Sequence, residues 1–279
     1  MSQNLMTNSS LIFNIIFLSI IGLLVLKYTF RFIEQSYAES KKKPLMLNFV
    51  LLKKSLTEKQ IRILEKQFTF YSRLSRKEQL IFRHRLATFI DNKSFYGRDG
   101  LELTDEIIVL ISATAVKLTF GFRDYSLSII KTLLVYPEAF YSKINEQLHK
   151  GEVNPMLGIL ALSWKDFKQG YDIDNDNLNL GIHEFSHAIH LNSFKNNDIS
   201  SLIFRDGFKA LKRYLKDNET KRQQLISTKY FRAYAYTNEY EFMAVLIECF
   251  IETPQEFKSK FPKMYKYVKE MLNFNFADY

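Results

Sequence analysis

Residues 181–190 read GIHEFSHAIH and place His183, Glu184 and His187 in an H-E-x-x-H spacing. Side chains four apart share one face of a helix, so the two imidazoles converge on one point while the adjacent glutamate faces its open side. That geometry suits tetrahedral zinc with water in the fourth position. A chance match in a chain with five histidines is on the order of one per cent; two packed core histidines are the bland alternative. His190, three residues past His187, falls on the same face. A third ligand from one short helix would strain a tetrahedron, which favours packing or support of the site for His190 over ligation.

The remaining ligand must come from elsewhere. The single cysteine, Cys249, excludes an intrachain disulfide and a cysteine-rich cluster, and no histidine lies downstream of His190. A carboxylate is therefore expected, and the apolar-periodic stretch Glu239–Ile251 offers Glu239, Glu241 and Glu248. Glu241 and Glu248 share a face about 10 Å apart, so one zinc cannot take both. Just upstream, Tyr234 and Tyr236 present phenols suited to a developing oxyanion.

Around this centre the chain reads as helices with a little sheet. Helical periodicity covers 57–74, 76–90, 107–120 (capped by Thr104), 180–191, 200–215, 239–251 and 262–272. Two short apolar runs, 128–136 and 157–164 (LGILALSW), read as strands. The expected class is α+β, helix-dominated, with a small β-sheet. The triplet Asp172, Asp174, Asp176 opens like a calcium loop, but Asn177 and His183 stand where that loop needs glycine and glutamate, so a polar loop capping the site helix is expected instead.

Residues 11–26 (LIFNIIFLSIIGLLVL) carry no charge. Extended to Phe30, with Lys27 snorkelling, they make a helix of about 30 Å, the thickness of a bilayer core. A signal peptide cut after Ser36-Tyr37-Ala38 is the alternative, against which stand the lack of basic residues before Leu11 and the charges between span and site. All nearby basic residues, ending in Lys41-Lys42-Lys43, follow the span, which puts the bulk of the chain in the cytoplasm beneath an inner membrane. Residues 1–43 are thus read as anchor and basic linker, and 44–279 as one domain. The net charge of +9 is spread thinly beyond residue 43, without a basic stripe interleaved with aromatics, so nucleic-acid binding is not expected.

Several stretches occur in an order similar to the Mlc titration factor A family of zinc-dependent peptidases: FYSRLSRKEQLIFRHRLATFI (70–90), GLELTDEIIVLISATAVKL (100–118), LLVYPEAF (133–140), LALSW (160–164), GIHEFSH (181–187) and YAYTNEYEFMAVLIECFIETPQEF (234–257). The resemblance runs from about Phe68 to Pro262. It implies a zincin-like metallopeptidase domain akin to the catalytic domain of anthrax lethal factor, acting as an aminopeptidase on peptide substrates. By motif match His183, His187 and Glu241 would hold Zn2+, Glu184 would be the general base and Tyr234 the transition-state donor. Glu248 would orient a histidine N–H or lie on the helix surface. The alternative function implied is regulatory: the same fold sequestering a protein partner such as a transcriptional repressor.

Two departures qualify the match. Ile189-His190 replaces the family's usual Leu-Asp, which removes the support attributed to that aspartate. The N-terminal span is foreign to the soluble members, which makes the repressor role a poor carry-over. An edge strand commonly binds the extended substrate in zincins, and 157–164 is the expected candidate.

Overall fold

The computed structural model describes residues 2–47, 53–142, 146–173 and 175–279. Its first element is an unbroken helix, α1 (Ser2–Lys41), whose apolar side chains from Leu11 to Ile33 stand exposed. By length and composition it can cross a membrane. Its last turns rest on the body of the protein. Glu34, 4% exposed, pairs with Arg123, and Ala38 packs against Ile199 and Ile203. Arg31 also donates to the carbonyl of Asn197 at 3.4 Å.

The expected helix over 57–74 divides at Phe68, whose ψ of 87° leaves the helical region, giving α2 (Glu58–Gln67) and α3 (Thr69–Ser72). Capping boxes start α2 at Thr57 and α4 (Arg76–Asp91) at Ser75, where side chain and backbone satisfy one another's orphan donors. Strand β1 (Ser94–Gly97) follows, then α5 (Asp105–Leu118), capped by Thr104 as expected. Strand β2 (Thr132–Tyr136) occupies only the second half of the apolar run 128–136. The earlier half turns under the fold, where the Ile129 N–H donates to Asn192 Oδ1 at 3.1 Å.

A hairpin of β3 (Phe140–Ser142) and β4 (Gln147–His149) precedes β5 (Gly151–Asn154) and β6 (Ile159–Ser163). The main sheet has the order β1-β2-β6-β5, with β1, β2 and β6 parallel and β5 antiparallel on the edge. This overturns the expectation for 157–164. Its strand, β6, is hydrogen-bonded on both sides and has no backbone groups left for a substrate. The run looks uniformly apolar because it is an inner strand, with Leu160 and Leu162 fully buried.

Helices complete the chain: α6 (Trp164–Asp172), α7 (Leu180–Lys195), α8 (Ile199–Asp217), α9 (Glu219–Ser227), a 3-10 turn (Ala233–Tyr236), α10 (Glu239–Glu252), α11 (Pro254–Lys260) and α12 (Pro262–Met271). α7 runs through the middle, packed between α5, α8 and α10, so nearly all of it is buried. At Gly181 a Cβ would lie 2.5 Å from the Phe167 ring, so only glycine lets α7 approach α6 this closely. Phenylalanines fill the far side of the core: Phe70, Phe82, Phe120 and Phe274 meet at centroid distances of 5.6–6.0 Å, the range in which tilted and edge contacts are attractive.

Candidate metal centre

The site is built where α7 and α10 lie side by side. Asn179 caps α7, its side chain accepting from the Ile182 N–H at 3.0 Å. Asn238 caps α10 in the same way, accepting from the amides of Tyr240 and Glu241 at 2.9 Å. Both caps fix the first turns, where His183 and Glu241 stand, with His187 one turn further along α7. All three are at least nine-tenths buried, and their ligand atoms lie within 4.8 Å of one another.

The inner geometry is that of a cation site. His183 Nε2 and His187 Nε2 face each other at 2.9 Å, and Glu241 Oε2 lies 3.0 Å and 3.4 Å from them. Three potential lone pairs thus converge in a buried space, an arrangement that a metal ion relieves and plain packing does not. The donor set of two imidazoles and one carboxylate fits a catalytic metal with one open position.

Glu248 lies behind His183, not on the helix surface. Fully buried, it accepts from His183 Nδ1–H at 2.5 Å and from Arg232 Nη2 at 2.6 Å. The first bond puts the proton on Nδ1 and leaves Nε2 free to coordinate. Arg232 leaves the pair one carboxylate matched by one fixed cation, so the buried charge is compensated. Glu239, the other carboxylate considered, points away and pairs with Lys212 at 2.8 Å.

Electrostatics follow from this crowding. Burial pulls His183 down, but the carboxylates of Glu241 and Glu248 outweigh it and hold the imidazole up at about 9. Burial raises Glu241 too, yet the two histidines override it and keep the carboxyl far below its usual range. His187 falls to about 4, mainly by desolvation. Glu184, beside them and 6% exposed, rises to about 7, first because it is buried and then because Glu241 and Glu248 share its surroundings.

Glu184 faces the edge strand. A Cβ at Gly151 would stand 2.5 Å from Glu184 Oε1, so the bare backbone of β5 forms the wall against which the carboxyl rests. Two hollows, of about 470 and 430 Å3, meet there. Both are bordered by His149, Gly151, His183, Glu184 and Tyr234; one continues past Arg232 and Leu178, the other past Met156 and Tyr240. Tyr234 is half exposed on the 3-10 turn, its ring 5.9 Å from that of His183, and burial beside Glu241 pushes its phenol up to about 12. Tyr236 donates instead to the Leu225 carbonyl at 3.0 Å.

His190 packs rather than converges. Its ring sits among Phe194, Phe204 and Phe208, and against Tyr240, which in turn stacks flat on His187 at 3.7 Å. In the acidic loop Asp172 ends α6 and pairs with Lys168, while Asp176 accepts from the Leu178 amide at 2.9 Å, as a capping loop requires. Asp174 lies outside the described residues. Sequence reasoning missed Arg232, Tyr240 and Gly151. Each acts through an approach between separate elements, and a lone arginine, tyrosine or glycine carries no local sign of that.

A buried His-His-carboxylate centre with a glutamate at its open side, set on a helix beside a mixed sheet, defines a zincin-like metallopeptidase. The model of the glucose-regulated metallo-peptidase M90 family matches residues 39–272, and the chain belongs to that family. An uncharacterized protein of Synechocystis is similar, 26% identical over 225 residues that cover 75% of this chain and 81% of the relative.

Proposed function

We propose that this chain is a zinc-dependent aminopeptidase held in the inner membrane by α1, with residues 44–279 working in the cytoplasm. The observation that carries the catalytic reading is the convergence of His183, His187 and Glu241 beside a Glu184 whose carboxyl holds its proton up to about pH 7. In this reading the three converging residues hold the metal. Zinc suits two imidazoles and a carboxylate, and when bound it polarises a carbonyl and makes water acidic enough to react near neutral pH.

The protein's own groups do the rest. Glu184 takes the proton from the attacking water and returns it to the leaving amine, a role that a carboxyl titrating near neutrality fills in both directions. The protonated Tyr234 phenol donates to the oxyanion as the carbonyl becomes tetrahedral. Glu248 keeps His183 in the coordinating tautomer, and Arg232 holds the Glu248 carboxyl in place at 2.6 Å. A peptide lies along the free edge of β5, adding a strand to the sheet, with its scissile bond opposite Gly151.

Retention of the N-terminal helix is supported by its docking. A cut after Ala38 would remove Glu34 from Arg123 and Ala38 from Ile199 and Ile203. The three lysines that follow the apolar span favour the cytoplasmic orientation.

The test is Glu184→Gln. Hydrolysis of peptides with free amino termini should fall by about 10²–10⁴-fold with the zinc content unchanged. Unchanged hydrolysis would sink the catalytic reading and favour a binding protein of the same fold. Equal cleavage of amino-blocked peptides would remove the aminopeptidase assignment alone.

A further inference from the structure

The two imidazoles of the metal centre are held in different ways. His183 has a carboxylate behind it, with Glu248 on its Nδ1 at 2.5 Å. His187 has none: its Nδ1 is buried and meets no hydrogen-bond partner among the described residues. Nε2 lies off the Cβ–Cγ axis of a histidine, so a turn of the ring about that bond swings it away from the point where His183 and Glu241 converge. Another contact must hold the plane of the His187 ring.

Tyr240 makes that contact. Its ring lies flat on the His187 ring, centroid to centroid 3.7 Å with 4° between the planes, while His183 meets the same imidazole edge-on at 86°. This is van der Waals distance across a whole face, and a parallel neighbour so close blocks rotation of the imidazole. Packing alone does not ask for such alignment, and the rings around His190 lie at 29–73° to it. Tyr240 is itself fixed. Its amide donates to Asn238 Oδ1 at 2.9 Å, as does that of Glu241, so one helix cap seats a ligand and the ring that lies on a second ligand.

The stack also responds to charge. An imidazole that gives its Nε2 lone pair to a cation becomes electron-poor, and the face of a phenol ring is electron-rich, so the contact strengthens when metal binds. An aliphatic side chain would fill the space without this response.

We propose that Tyr240 is the positioning residue of His187, holding the imidazole in the coordinating plane by face stacking where His183 is held by a hydrogen-bonded carboxylate. This role presupposes the metal centre described above.

The experiment measures zinc affinity of the full chain in detergent by chelator competition, and the visible absorption of its cobalt(II) form, for the parent, Tyr240→Phe and Tyr240→Leu. Tyr240→Phe keeps the flat face and should bind zinc within about threefold of the parent. Tyr240→Leu should bind about tenfold more weakly, with a cobalt spectrum that differs from the parent's and a metal-free melting temperature like that of Tyr240→Phe. Parental affinity or an unaltered cobalt spectrum in Tyr240→Leu overturns the proposal. So does an equal loss in both variants, which would assign the effect to the phenol hydroxyl, or a loss of zinc matched by a fall in the metal-free melting temperature, which would make Tyr240 a packing residue. A parent that binds neither metal would overturn the metal centre itself, a result distinct from all of these.

Discussion

Glu241 and Glu248 stand two turns apart on one helix with opposite tasks, and their substitutions should separate them. Glu241→Ala removes one of three converging donors, so zinc should be lost at ordinary concentrations. Glu248→Ala leaves the donors in place but frees the His183 ring, and should weaken zinc affinity or activity about 10- to 100-fold. Zinc titration of both variants is the measurement, and full occupancy in the first with loss in the second would reverse the assignment. A third carboxylate, Glu252, reports on pH. Burial raises its folded pKa to about 7 from 4.5. Between those values the folded state binds more protons than the unfolded one, so stability falls as pH rises through that window. Glu252→Gln should remove that loss, its melting temperature gaining on the parent's between pH 5 and pH 8; a gap that stays constant would contradict the shift.

Among the elements, the proposed substrate strand depends on β5. Gly151→Ala would drive a methyl into Glu184 Oε1, so the carboxyl must swing from its wall. Peptide turnover should drop at least about tenfold, the effect of a displaced catalytic group, with metal content unchanged; undiminished turnover would show that Glu184 has room to spare. How much of this was legible in the sequence depended on whether a signal was local. The four-residue period of His183 and His187 fixed one helical face, and Thr104 marked a helix start through a side chain that bonds the backbone three residues on. Glu241 could be chosen over Glu248 only through the family resemblance, because both share a face. The placement of 157–164 at an edge failed for a physical reason: an apolar run reports burial on both faces and says nothing of which neighbours pair with it. The strand that does lie on the edge, Gly151–Asn154, is too short and polar to stand out. The break at Phe68 likewise has no proline or glycine to announce it.

For the molecule as a whole, the proposed topology is open to direct test. Protease added to intact spheroplasts should leave residues 44–279 uncut, while the same protease after lysis should digest them. Digestion in intact spheroplasts, or a mature chain beginning at Glu39, would point to an exported enzyme. The docking of α1 then carries a mechanical consequence. Arg31, which donates to the body at the Asn197 carbonyl, directly follows Phe30, the end of the stretch long enough to span a bilayer. There is no slack between them, so in the proposed topology the domain is a rigid head on a post rather than a ball on a string. A head so mounted cannot roll to present its cleft at arbitrary heights. In the proposed topology it would sample substrate by gliding in two dimensions at one fixed elevation, and the peptides within its reach would be those whose loose ends float at that height above the lipid.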